Sequence, residues 1–131
     1  MSIDFRNAFV ESLPFPGGQF DVVLSTLMLH HLPGKLRNQC ASEVRRVLKQ
    51  GGRVLAIDFG ISPGEKGIVA HFHRHGHISL AKMSAIFSEA GFNIAQSGPV
   101  GIGDIDYVLA IAPYCESSVP ISSANRRYES I

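Results

Sequence analysis

Two adjacent histidines, His30 and His31, close an apolar run that begins at Phe20, and Asp58 stands near the end of a second run, Arg53 to Phe59. An imidazole titrates near neutral pH and can accept a proton from a reacting group, so His30 and His31 are candidate general bases. The order of residues alone marks no paired carboxylates and no nucleophile–base pair. The remaining four histidines lie in His71-Phe72-His73-Arg74-His75-Gly76-His77, and their alternation puts all four on one face of an extended segment. Zinc or nickel binds faces of this kind. The run has no evident acidic or thiolate co-ligand, so the favoured reading is a polar lining over a small-molecule pocket, with Phe72 and His73 on its substrate side and no metal assigned.

The elements that must position these groups follow from hydrophobic patterning. Val22 to Leu24 and Val54 to Ile57 are apolar on successive residues, which suits strands covered on both faces in a parallel sheet. Between them Leu36, Cys40, Val44, Val47 and Leu48 recur at helical spacing. Arg45, Arg46 and Lys49 crowd the end of that helix, where its dipole favours cations, and Gly51 is expected to terminate it. A strand, helix and strand in this order form a right-handed crossover.

Ile3 to Arg6 is a short strand candidate, and Pro14, Pro16, Gly17 and Gly18 keep the following segment irregular. After a polar loop over 60–76, Ser79 is placed to cap a second helix with the stripe Leu80, Met83, Phe87 and Ala90, ended by Gly91. Phe92 to Gln96 and Ile105 to Ala112 read as an antiparallel pair, with the glycines between Gly98 and Gly103 serving the turn. From Tyr114 the chain is Ser-rich and aperiodic, which divides it into a domain over 1–113 and a disordered tail over 114–131. The expected fold class is α/β, a partial Rossmann-like sheet, mostly parallel with an antiparallel C-terminal strand pair and helices on the faces.

A chain of 131 residues with 45% hydrophobic content can bury one core, and a net charge of +1 gives no basic surface for nucleic acid. No apolar run approaches the roughly 20 residues that cross a bilayer, and Met1-Ser2-Ile3-Asp4 does not begin a signal segment, so a cytoplasmic protein without a membrane partner is expected. Cys40 and Cys115 read as unpaired thiols.

Leu13-Pro14-Phe15 followed by Phe20-Asp21, then Leu29-His30-His31-Leu32, then Arg46-Val47-Leu48-Lys49-Gln50-Gly51-Gly52-Arg53 form a sequence of motifs. This sequence resembles the C-terminal half of a class I S-adenosylmethionine-dependent methyltransferase of the small-molecule type. The resemblance implies a seven-stranded sheet whose last strand is antiparallel. It also implies a first strand ending in a glycine-rich loop for the cofactor's carboxypropyl end, and a second strand ending in an acidic residue for its ribose. Mapped onto that pattern, the chain begins at the third strand and lacks both. By the same resemblance Phe9 and Val10 flank the adenine of S-adenosylmethionine, Ser25, Thr26 and Leu27 line the cofactor, and His30 and Asp58 face the reaction side. Phe9 stands where the family usually carries an aspartate, so stacking would replace a hydrogen bond to the base. The implied activity is methyl transfer to a small molecule. The alternatives are a non-catalytic remnant or assembly subunit that has lost the cofactor, and a histidine-rich metal-binding module.

Loss of the first strands would leave one side of Phe20 to Leu27 unpaired, and such edges recruit other strands. Either Ile3 to Arg6 moves in to cover it, or two chains associate through it as a homodimer.

Overall fold

The computed structural model describes residues 2–61, 77–114 and 128–131. Five strands, β1 (Phe20–Thr26), β2 (Leu48–Phe59), β3 (Asn93–Pro99), β4 (Ile105–Ile111) and β5 (Tyr128–Ser130), form one sheet in the order β3-β4-β2-β1-β5. β1 runs parallel to β2 and to β5, while β4 is antiparallel to both β2 and β3. The sheet is therefore half parallel by pairing rather than mostly parallel. The expected antiparallel C-terminal pair is present, and β4 inserts between β3 and β2.

Helices α1 (Gly34–Val47) and α2 (Leu80–Glu89) fall where the apolar stripes predict them. In-register Val23, Val54 and Ala110, with Ala56 and Val108 beside them, share one sheet face and are almost fully buried. Cys40, Val44 and Val47 of α1 and Met83, Ile86 and Phe87 of α2 complete that core. The described helices thus bury the same face. The opposite face, with Val22 half-buried and Leu24 39% exposed, follows the alternation of a strand covered on one side, contrary to the successive-apolar reading.

Ser79 caps α2 as expected, its hydroxyl accepting from the Lys82 amide at 3.2 Å. Gly91 adopts φ +93, and the Phe92 amide donates to the Phe87 carbonyl at 3.0 Å, which closes the helix with a left-handed glycine. Gly51 does something else. α1 has already ended at Val47, because Leu48 turns extended and buries itself opposite Phe20. Gly51 lies inside β2 at φ +74, where its amide donates to the Ala112 carbonyl at 2.8 Å and the register against β1 slips.

The N-terminal segment is clasped rather than paired. Arg46 donates to the Phe15 carbonyl at 2.8 Å and the Leu13 carbonyl at 3.0 Å, and the Leu13 amide donates to Glu43 at 2.9 Å. Ile3 to Arg6 is not a strand; Ile3 and Phe5 are 74% and 90% exposed. The edge it was expected to cover belongs to β5 instead. This corrects the reading of 114–131 as wholly disordered, since Tyr128–Ser130 pairs with Val22–Leu24 in register. Among the described residues no helix is long and apolar enough to cross a membrane.

Candidate functional site

At the carboxyl ends of β1 and β2, where open α/β sheets bind ligands, the chain brings His30 and Asp58 together. Leu27 takes φ +53, a left-handed conformation that costs a non-glycine residue free energy, while its amide still donates to the Ile57 carbonyl at 2.8 Å. The reversal sends the chain into a single 3-10 turn, Leu29–His31, anchored by Leu29, which is 2% exposed. Arg37 of α1 donates to the Leu29 carbonyl at 2.9 Å and to the His30 carbonyl at 3.4 Å, so two carbonyls of the turn are held. That fixes where the imidazole points.

His30 Nδ1 lies 2.5 Å from Asp58 Oδ1, and the His30 amide donates to Oδ2 at 3.0 Å. The Phe59 amide adds a third bond to Oδ1 at 2.8 Å. Asp58 has no exposed surface, and three donors offset the cost of burying its carboxylate. With Asp58 as a carboxylate, which only accepts, the proton at this contact belongs to Nδ1, and that is the tautomer that leaves the Nε2 lone pair for another partner. Phe59 packs edge-on against His30 at 5.4 Å between centroids, and His31 lies over it at 3.9 Å. His77 also meets the Phe59 ring, at 6.1 Å between centroids, and its Nδ1 bonds the Gly60 carbonyl at 2.7 Å.

The pairing of His30 with Asp58 is the acid–base arrangement that the sequence order did not disclose. The signal was present as a polar residue at the end of each parallel run, but nothing in the spacing matched one to the other. His31 is exposed and joins the cluster through its ring alone. Ser25 is buried at 3% exposure with its hydroxyl unpartnered among the described residues, and Thr26 and Leu27 follow it, both exposed. Phe9 is 75% exposed on a turn closed by the Ser12 amide bonding its carbonyl at 3.0 Å, whereas neighbouring Val10 packs on the core. Phe72 and His73 lie outside the described residues, as do His71 and His75. Among the described residues no group of three or more potential metal ligands converges. Cys40 is buried and its thiol is pushed up to about 12, first by burial and then by Glu11 and Glu43, so it is unreactive packing.

A family model described as a methyltransferase domain matches residues 1–56. The uncharacterized methyltransferase YcgJ of Bacillus subtilis is 34% identical over 95 residues, 66% of this chain and 37% of that protein. The 27-O-demethylrifamycin SV methyltransferase of Amycolatopsis mediterranei is 37% identical over 95 residues, 66% of this chain and 34% of that protein. A crystal structure of a SAM dependent methyltransferase from Aquifex aeolicus covers 83% of this chain and 54% of its own, with TM-score 0.67 at 19% identity. The chain has a class I S-adenosylmethionine-dependent methyltransferase fold.

The methyltransferase fold places the ends of β1 and β2 side by side, which is where the His30–Asp58 pair lies. The chain spans about a third of the length of the curated relatives it matches. At the end of β1 lie a buried Ser25 hydroxyl with no hydrogen-bond partner among the described residues and the exposed Thr26 and Leu27, while the Phe9 ring is exposed on its own turn. On the other side of β1 the neighbour is Tyr128–Ser130, which carries no glycine.

Proposed function

We propose that this chain belongs to an S-adenosylmethionine-dependent methyltransferase that acts on a small-molecule acceptor, contributing residues toward both donor and acceptor, with His30 as the base. The observation that carries this reading is the 2.5 Å contact between His30 Nδ1 and the fully buried Asp58. When bound, S-adenosylmethionine supplies a sulfonium methyl group open to direct displacement by a nucleophile. The chain's own residues then have two tasks. Ser25, Thr26, Leu27 and Phe9 hold and orient the donor, because alignment of the reacting atoms is the main catalytic demand in such a displacement. His30 Nε2 removes the proton from an acceptor hydroxyl or amine, while Asp58 orients the ring and stabilises the cation that forms.

A second reading, a non-catalytic remnant or assembly subunit, is favoured by one observation: the outer side of β1 is filled by β5. Incubating the chain with methyl-labelled S-adenosylmethionine, at concentrations above its dissociation constant, and a panel of hydroxylated small molecules separates the two. The methyltransferase reading expects labelled product, falling by about 10²–10⁴ in rate in His30→Ala. Equal product from His30→Ala would remove the histidine from the mechanism. No product from any acceptor at saturating donor would leave the remnant reading standing.

A further inference from the structure

The two edges of the sheet are guarded by different means. On the β3 edge the register shifts between Ile94 and Gln96, and the strand closes on Pro99, which has no amide to donate. β1 has no such device within itself: Phe20–Thr26 contains neither proline nor glycine, and its centre is Val22-Val23-Leu24. Its guard is supplied from elsewhere in the chain. Tyr128–Ser130 lies parallel along Val22–Leu24, the Ile131 amide donates to the Leu24 carbonyl at 2.6 Å, and the Thr26 amide donates to the Ile131 carbonyl at 3.4 Å.

This guard is slight. It matches three positions of β1, whereas β2 matches six on the other side. Tyr128 is 62% exposed, so the apolar burial of the segment is confined to Ile131, which packs partly buried against the core. A short strand with a charged residue at its middle, Glu129, also makes a poor template for further addition. The segment therefore blocks growth of the sheet without locking the edge.

We propose that Tyr128–Ser130 is a removable edge cover, and that β1, once uncovered, pairs antiparallel with β1 of a second copy of this chain across a two-fold axis. The sequence of β1 suits self-pairing. Centred on Val23, a two-fold places Val22 opposite Leu24, Asp21 opposite Ser25 and Phe20 opposite Thr26, with apolar residues at the middle and no like charges facing each other. A net charge of +1 per chain adds little repulsion between copies.

The test is the mass in solution, by light scattering during gel filtration, of the whole chain, of Ile131→Pro, and of a chain ended after residue 127. Ile131→Pro removes the amide that bonds Leu24 together with the Ile131 side chain that packs on the core, and keeps Tyr128–Ser130 in the chain. The whole chain is expected to be monomeric, and both variants to show twice that mass. A synthetic peptide of residues 125–131, added in excess, should return the variants to monomers. Variants that stay monomeric, dimers that the peptide does not dissociate, or a whole chain already dimeric would each overturn the proposal. Loss of the circular-dichroism signature of the fold in both variants would also overturn it, because the segment would then be part of the folding core rather than a cover.

Discussion

The His30 amide and the His30 ring both bond one carboxylate, that of Asp58, at 3.0 and 2.5 Å. Residues 28 positions apart are thereby joined at the ends of adjacent parallel strands, and the 3-10 turn is tied to β2 by the same side chain that orients the imidazole. In His30→Ala the backbone bond survives, while Oδ1 keeps only the Phe59 amide. The loss should cost about 1–3 kcal/mol of folding stability, the usual range when a buried acceptor loses a partner. Urea denaturation measures it, and an unchanged midpoint would show that water replaces the ring freely.

Binding of S-adenosylmethionine to this chain should be weak. The outer side of β1 is occupied by β5, which carries no glycine, and the polar group proposed for the donor at the end of β1 is a Ser25 hydroxyl only 3% exposed. Isothermal titration giving a micromolar dissociation constant would contradict that. Where binding is measurable, Phe9→Ala should weaken it by roughly 1–3 kcal/mol, the worth of a stacking platform. Because Phe9 is 75% exposed, the same substitution should leave folding stability within about 0.5 kcal/mol.

Acid should loosen the clasp on Leu13 to Phe15. The hydrogen bond from Arg46 holds the Glu43 carboxyl below its ordinary value against a push from burial, and the Leu13 amide adds to it. A depressed carboxyl contributes stability above its unfolded value, and that contribution is lost as pH falls through its folded value. Urea midpoints measured from neutral to acidic pH should fall less steeply in Glu43→Gln than in the parent, with the variant less stable at neutral pH. Parallel curves would mean that the ion pair does not couple to folding.

The core between α2 and the sheet is expected to be intolerant of truncation. Phe87 is 1% exposed and meets Phe92 edge to face at 5.7 Å between centroids. Phe87→Ala should cost about 3–5 kcal/mol, the range for emptying an aromatic site in a packed core. A loss below about 1 kcal/mol in chemical denaturation would show that the neighbours collapse into the gap.

Much of this architecture was legible because local rules and tertiary packing agree. The stripe from Cys40 to Val47, the Ser79 cap, the Gly91 terminator and the strands at Phe20 and Ile105 each satisfy a short-range pattern that the core then uses. The misreadings came where long-range pairing decides. Gly51 looks like a helix stop, but the burial of Leu48 opposite Phe20 ends α1 first and draws the glycine into β2. Ser-rich composition hid β5, because three residues on a sheet edge need no apolar periodicity, only a neighbour with free amides and carbonyls. The site was half visible. His30 and Asp58 were marked by residue type and by their positions near strand ends, but their partnership depends on the left-handed turn at Leu27, and a leucine gives no sign of that conformation.

In the proposed mechanism Asp58 holds the His30 imidazole with its proton on Nδ1, leaving Nε2 free to act as a base. Two-bond proton–nitrogen spectra of the labelled chain at neutral pH report the tautomer of each imidazole directly. For His30 the account predicts a protonated Nδ1, with its proton shifted far downfield by the short bond, and loss of that downfield signal in Asp58→Asn. A His30 ring protonated on Nε2, or a ring whose spectrum does not change in Asp58→Asn, would contradict it.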